Sequence, residues 1–267
     1  MKPLILIRGG GDLASGVALR LHRVGFQVAI LELDKPLAVR RSVSFSEAVY
    51  EGTQTVEGVT ARLVSADQFQ VTLEAGEIPV LIDPHANILN NQFLTSPKST
   101  FVVDARLMKT EPEPLPVNVA LHIGLGPGFT AGADCHAVIE TQRGHALGRV
   151  YWEGQTAPDS RQPDGDKRRV LRSPAAGTLT PLKSIGDLCK EGETIATVNG
   201  SSIASPFDGI LRGLIHPKVD VTEGMKIGDV DERNDPSMIR FVSDKALSVA
   251  GGVLEAVYMK LRDMDSE

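Results

Sequence analysis

Cysteines and aromatic residues are scarce in this 267-residue chain: two Cys occur, Cys135 and Cys189, and Phe, Trp and Tyr together make 4%. No C-x-x-C is present, which excludes a zinc ribbon and a thioredoxin-like redox motif and predicts a reduced, cytoplasmic protein. A basic surplus is also missing. The chain has 28 Lys/Arg against 34 Asp/Glu, a net charge of −6, so no nucleic-acid partner is expected. Long apolar runs are absent as well. The opening run Leu4–Ile7 is too short for a signal-peptide core and is followed by Arg8. No stretch approaches a membrane span, so no membrane partner is expected.

Glycine and proline are plentiful instead. The 26 glycines and 16 prolines make about one residue in six, against about 12% on average. Hydrophobics at 42% and charged residues at 23% are ordinary for a globular chain. Disorder, collagen and coiled coil are thereby excluded. The glycines argue against a helical bundle, because each costs a helix interior about 1 kcal/mol. The length suggests two domains.

Leu4–Ile7 reads as a strand buried on both faces, as in a parallel sheet. Arg8-Gly9-Gly10-Gly11-Asp12-Leu13-Ala14 follows. A helix then carries Leu13, Val17, Leu21 and Val24 on one face, with Gly25 ending it. Gln27–Leu31 is a second strand, closed by Glu32. Gly9-x-Gly11-x-x-Ala14 in this strand–loop–helix context matches a dinucleotide-binding fingerprint. The first glycine permits the tight turn, the second lets a pyrophosphate approach, and a small third residue lets helix and strand pack closely. Glu32 stands where an acid would grip a ribose hydroxyl. Asp12 would repel phosphate unless it caps the helix, and N-capping is its expected role. Arg40-Arg41 is either a phosphate clamp or a solvated loop.

Two further strands end on aspartates, Asp83 (before Pro84-His85) and Asp104. Asp83, His85 and Asp104 are weak catalytic candidates, with helix capping as the plainer role for the aspartates. Three prolines within 112–116 read as a domain linker. The expected architecture is α/β: a Rossmann-like parallel sheet over 1–111, a linker at 112–117, a Gly-rich β segment at 118–170, a duplicated β module at 171–241 and a C-terminal helix at 242–267.

The duplication is internal. Ser173, Pro174, Gly177, Leu179, Leu182, Glu191, Gly192 and Ile195 recur 32 residues later as Ser205, Pro206, Gly209, Leu211, Leu214, Glu223, Gly224 and Ile227. Two such units predict a small barrel with quasi-two-fold symmetry. The pattern resembles the biotinyl/lipoyl-type barrel, whose carrier lysine sits at the hairpin between the halves. Here that hairpin is Asn199-Gly200-Ser201-Ser202. It has no lysine, so neither biotin nor lipoate is expected.

Gly124, Gly126 and Gly128 form either a second anion-cradling loop or simple turns, with Arg143 and His145 as companions. His122, Cys135, His136 and His145 are the cluster that looks most like metal ligands. Cys135 and His136 are adjacent and would point to opposite faces of a strand, so no metal site is expected. From Ser243 the chain reads as an N-capped helix expected to pack back on the first domain or on the glycine-rich loop. Gly251-Gly252 inside it is costly unless backbone or ligand comes close. Lys245 and Glu255 are site candidates on this helix.

Six segments together match one pattern: Ile7–Gly16, Arg40–Tyr50, Gly124–Ala131, Ile139–His145, Ser243–Ala246 and Gly251–Ala256. Nearly end to end, the chain resembles the YqeB-like accessory proteins of selenium-dependent molybdenum hydroxylases. Its glycine loop is also similar to that of the XdhC-like maturation factors. The resemblance implies a role in modifying or inserting a molybdenum cofactor, a hydroxylase client as partner, and a nucleotide-containing ligand such as molybdopterin dinucleotide or NAD(P). It implies no particular reaction. The ligand-binding residues expected on these grounds are Arg8, Gly9, Gly10, Gly11, Asp12, Ala14, Glu32, Arg40, Arg41, Gly126, Gly128, Arg143, His145 and Lys245. One stretch departs from the pattern. A glycine-bearing Asn-Thr-Gly-type turn is expected after 147–150, whereas residues 159–165 read Asp-Ser-Arg-Gln-Pro-Asp-Gly. An NAD(P)-dependent oxidoreductase and a non-catalytic scaffold or sensor stay open as alternatives, as does a homo-oligomer.

Overall fold

The apolar run at the N-terminus forms β1 (Leu4–Arg8), and Gln27–Glu32 forms β2, its parallel neighbour. The computed structural model describes residues 3–91, 96, 99–108, 110–160 and 166–266. Between the two strands, α1 (Asp12–Arg23) buries Leu13, Val17 and Leu21 on the expected face. It ends as the glycine predicts. Gly25 adopts φ +83°, its N–H bonds to His22 O at 2.9 Å, and the Phe26 N–H bonds to Leu21 O at 3.0 Å. That is a Schellman ending.

The chain then adds α2 (Ala48–Glu51), the hairpin of β3 (Thr53–Val56) and β4 (Val59–Leu63), α3 (Phe69–Glu74), β5 (Ile78–Ile82) and β6 (Thr100–Asp104). It continues through β7 (Leu121–Leu125), β8 (Ala137–Ile139) and β9 (Val150–Tyr151). All nine strands form one sheet in the order β3-β4-β5-β2-β1-β6-β7-β8-β9. β4 to β8 run parallel with β1 and β2, and the two edge strands are antiparallel. The order reverses between β1 and β6, and Arg8 and Asp104 face each other there in register.

This corrects the domain reading. Residues 112–116 do not separate two domains. They lie in the connection between β6 and β7, which are neighbours in one sheet. The Gly-rich segment 118–170 supplies β7, β8 and β9 to that same sheet. Prolines keep a chain out of a strand, and a crossover loop satisfies that requirement as well as a linker does.

Eight short strands follow: β10 (Val170–Arg172), β11 (Gly177–Pro181), β12 (Leu188–Cys189), β13 (Thr194–Val198), β14 (Ser201–Ala204), β15 (Gly209–Leu214), β16 (Asp220–Val221) and β17 (Lys226–Asp231). They form two antiparallel sheets, β10-β17-β15-β12 and β14-β13-β11-β16. The 32-residue repeat converts one sheet order into the other, so each sheet draws strands from both repeats. Its hydrogen bonds repeat too. Ser173 Oγ donates to Ala175 O and Ser205 Oγ to Phe207 O, both at 2.7 Å. One apolar core, including Leu179, Ile195, Leu211 and Ile227, fills the space between the sheets. Both Cys135 and Cys189 are buried free thiols.

The C-terminal α4 (Asp244–Asp265) returns to the first sheet, capped by Ser243, whose Oγ accepts from the Ala246 N–H at 3.1 Å. Near its start it touches α1, where a Cβ on Gly16 would lie 2.8 Å from Ala246 Cβ. Further along, the ring of Tyr258 meets that of Phe26, just beyond the end of α1, edge-on at 5.8 Å. The two helices therefore run side by side in the same direction, both starting at the carboxyl ends of the strands. Gly252 explains part of the glycine pair, because its Cβ would stand 2.1 Å from Gly148 O. Among the described residues no helix is long and apolar enough to cross a membrane. Residues 161–165, most of the stretch that departs from the family pattern, lie outside the described residues.

Candidate functional site

The loop after β1 is shaped by three glycines with three different demands. Gly9 has φ +89°. Gly10 has no room for a side chain, because a Cβ there would meet Ser46 N at 2.9 Å. Gly11 faces open space, with nothing within 4 Å of such a Cβ. The chain itself covers the middle glycine. Ser46 N–H donates to Gly10 O at 2.9 Å, and Phe45 N–H donates to Ser15 Oγ at 2.8 Å. Glu32 accepts from the Gly10 N–H at 2.7 Å and from the Leu33 N–H at 2.6 Å. Burial pushes this carboxyl above its ordinary value, while the two backbone donors favour its charged form. A pyrophosphate lying over Gly10, as the fingerprint predicts, would meet residues 44–47. Approach is open on the Gly11 side.

That side leads into a cleft of about 1190 Å³ between the first sheet and the outer face of β10-β17-β15-β12. Asp12 and Leu13 of α1, and Ser243, Asp244 and Lys245 at the start of α4, line it. Eight Arg/Lys and seven Asp/Glu are among its lining residues, on a chain of net charge −6. Most of the cations are neutralised in place. Arg40 meets Asp12 at 3.3 Å, and Arg143 holds Asp244 through two 2.7 Å bonds. That pairing lowers the Asp244 carboxyl to about 2. Arg169 and Arg212 both engage buried Asp229 at 3.0 Å, and Arg212 and Arg233 engage Asp231 at 3.0 and 2.7 Å. Burial raises the Asp229 carboxyl, whereas the Arg233 hydrogen bond lowers Asp231.

Arg40 sits at the hinge of this arrangement. It is 8% exposed. Its Nη2 donates to Met238 O at 3.0 Å, and its Nε is buried without a partner. A buried donor left unsatisfied is costly, so this atom fits a ligand acceptor in the cleft. Leu107, also on the wall, holds φ +56°, a conformation rarely adopted by a bulky residue.

Of the residues expected from sequence, the cleft gathers Asp12, Arg40, Arg143 and Lys245. The others have different placements. Asp12 is the first helical residue and Gly11 the cap, which corrects the capping role. The Asp12 carboxylate instead complements the helix dipole. Arg41 is not a phosphate clamp. Its Nε donates to Leu214 O at 2.8 Å and its Nη1 contacts Glu47, so it fastens β15 to residues 41–47. Ala14 is buried in α1. Gly126 is a packing glycine: its Cβ would lie 2.5 Å from Thr141 Oγ1 at φ +75°. Gly128 has φ +109°, and His145 is exposed away from the cleft lining.

The weak catalytic candidates do not assemble an acid–base pair. Asp83 accepts from the Asn87 and Ile88 N–H groups at 2.9 and 2.8 Å, a turn-capping role. His85 is exposed, 3.7 Å from Glu113. Asp104 is buried between Arg8 at 3.1 Å and Arg106 at 2.8 Å. Arg8, itself buried, also donates to Pro84 O at 2.9 Å, and burial lowers its affinity for its proton. Burial pushes the Cys135 thiol up to about 11 and His122 down to about 4. A different trio, Glu47, Glu51 and His216, brings ligand-type atoms within 4.8 Å of one another at the contact between the sheet and the paired β sheets. There Arg41 already engages Glu47, and the Lys218 N–H occupies His216 Nδ1 at 3.1 Å.

Sequence reasoning missed Arg169, Arg172, Arg212, Lys226, Asp229, Asp231, Arg233 and Phe241. The alternation Asp229-Val230-Asp231 on β17 signals a polar outer face, but only the fold shows that this face lines the cleft.

No family model matches the chain. It is similar to "Uncharacterized protein YqeB" of Escherichia coli strain K12, at 47% identity over 266 residues, covering 96% of this chain and 47% of that protein. That agrees with the YqeB-like part of the resemblance. The chain spans about half the length of the curated relative it matches. Among solved structures, an aspartoacylase family protein from Mesorhizobium loti aligns at 10% identity and TM-score 0.26, over 86% of this chain and 85% of that one. The product-bound ectoine utilization protein EutE from Ruegeria pomeroyi aligns at 12% and 0.27, over 86% and 85%. Scores of this size carry no argument about fold or chemistry.

Proposed function

We propose that this chain is an accessory protein for maturation of a molybdenum hydroxylase, and that it binds a nucleotide-containing form of the cofactor, such as molybdopterin dinucleotide, in the cleft. The observation that carries this reading is the convergence of the α1 and α4 N-termini on a cleft with unsatisfied Arg40 Nε on its wall. Helix N-termini present N–H donors and positive dipole to anions. The nine-stranded sheet is read as Rossmann-like, because β5-β2-β1-β6-β7-β8 reproduces the dinucleotide-fold order. Its glycine loop is read as XdhC-like. The paired four-stranded sheets are read as a biotinyl/lipoyl-like barrel. An Asn199-Gly200 turn at its hairpin offers no lysine for a prosthetic group, so it serves ligand enclosure and client docking. The setting is cytoplasmic.

The residues would divide the work. Arg40, Lys245 and the Gly11 side of the loop hold phosphate, and Arg143 orients the α4 N-terminus through Asp244. The bound group supplies the pterin chemistry. The test is titration calorimetry of the purified chain with molybdopterin cytosine and guanine dinucleotides, NAD, NADP and ATP. Preference for a pterin dinucleotide is expected, and preference for a nicotinamide dinucleotide would overturn the reading.

A further inference from the structure

The cleft cations fall into two groups. Arg40, Arg143, Arg169, Arg212 and Arg233 each hold a carboxylate. Arg172, Lys226 and Lys245 pair with no carboxylate among the described residues. Arg172 makes one bond, from Nη1 to Gly224 O at 2.9 Å. Arg172 and Lys226 are registered partners on β10 and β17, so two positive charges without a direct ion pair stand together on the outer face, with Lys226 near enough to favour the charged form of Asp229. Lys245 stands on the opposite wall, at the start of α4. Two of the eight phenylalanines, Phe207 and Phe241, also line this polar cleft, and Phe241 is 57% exposed. A bare ring inside a charged cavity is a stacking surface for a planar heterocycle. The volume of about 1190 Å³ exceeds the roughly 300–1,000 Å³ of sites for one drug-sized molecule.

We infer that the cleft is a two-part site for a dinucleotide rather than a mononucleotide, with Arg172 and Lys226 on the β10–β17 face forming a second anion subsite opposite the Arg40–Lys245 end. This rests on reading the cleft as the ligand site, and it makes the duplicated β module a ligand wall as well as a docking surface. One phosphorylated half lies against the α1 and α4 N-termini. The other half lies against Arg172 and Lys226, and a ring stacks on Phe241.

The test measures binding of molybdopterin cytosine dinucleotide, and of CMP as its nucleotide half, to the full chain and to two variants. Arg172 and Lys226 are exposed, so the double variant R172Q/K226Q keeps its thermal midpoint, checked in parallel. It should bind the dinucleotide about tenfold or more weakly, as expected for lost charge-assisted contacts. Its CMP affinity should stay within about twofold. K245Q should weaken binding of both. Wild-type dinucleotide affinity in R172Q/K226Q overturns the inference and leaves the proposed function standing. A wild-type chain that binds no pterin dinucleotide overturns both.

Discussion

The Gly10 N–H donates to a Glu32 carboxylate oxygen at 2.7 Å, and the other oxygen of the same carboxylate takes the Leu33 N–H at 2.6 Å. One side chain thus ties the end of β2 to the loop after β1. Glu32→Gln replaces one acceptor with a donor, so one of the two N–H groups faces an NH₂. A buried unsatisfied group costs about 1–3 kcal/mol, and a chain of this size loses about 2–4 °C of thermal midpoint per kcal/mol. Calorimetric melting of E32Q should show that loss. An unchanged midpoint would mean that Glu32 is not a fastener of the loop.

Asp104 was a catalytic candidate by its place at the end of a strand, yet it is buried against Arg8 and Arg106. Asp104→Asn leaves the Arg8 guanidinium, 2% exposed, without its counter-charge. Breaking a buried pair from one side costs about 3–5 kcal/mol. Denaturant titration of D104N should show a loss of that order. A variant as stable as wild type would mean that Asp104 is not needed to balance the buried Arg8 charge.

Much of this architecture is written locally in the chain. The apolar run Leu4–Ile7, the α1 stripe and Gly25 each specify their own geometry, and the 32-residue repeat marks out two interleaved sheets. Other features depend on distant partners. β7 to β9 are short, the last two only three and two residues long, and β7 is laid down as a strand along the edge of β6. The cleft is less legible again. Asp229, Asp231 and Arg212 alternate outward like any solvated strand face, yet the two aspartates are buried and held by Arg169, Arg212 and Arg233. Arg40 and Arg41 are adjacent and alike in sequence, yet one turns to the cleft and the other to Leu214 O.

His122 lends the fold a dependence on acid. Its ring lies edge-on to Phe129 at 6.1 Å, and its Nε2 is buried with no partner. Burial lowers its pKa from 6.5 to about 4. Below pH 6.5 the unfolded chain takes up a proton that the folded chain refuses until about pH 4, so stability falls across that window and is unaffected above it. The loss is on the order of 3 kcal/mol. Denaturant unfolding at pH 7 and pH 4.5 should show a smaller acid loss in His122→Leu than in wild type. Equal losses would assign the acid sensitivity to His136 or His216, whose pKa values burial also lowers.

Two adjacent glycines in α4 should respond to alanine with opposite signs. Gly251 meets nothing within 4 Å of an added Cβ, whereas on Gly252 the Cβ would stand 2.1 Å from the carbonyl oxygen of Gly148. In an open helix interior alanine is favoured over glycine by about 0.5–1 kcal/mol, so G251A should raise the thermal midpoint. G252A must instead push α4 away from the backbone at Gly148. Its added methyl opposes main chain rather than a flexible side chain, and overpacking of this kind costs about 1–3 kcal/mol or more. The displacement would reach the cleft, because α4 begins there at Asp244 and Lys245. G252A should therefore lose both stability and dinucleotide affinity, while G251A keeps its affinity. If both variants gain stability, the contact between α4 and residue 148 is looser than the geometry shows.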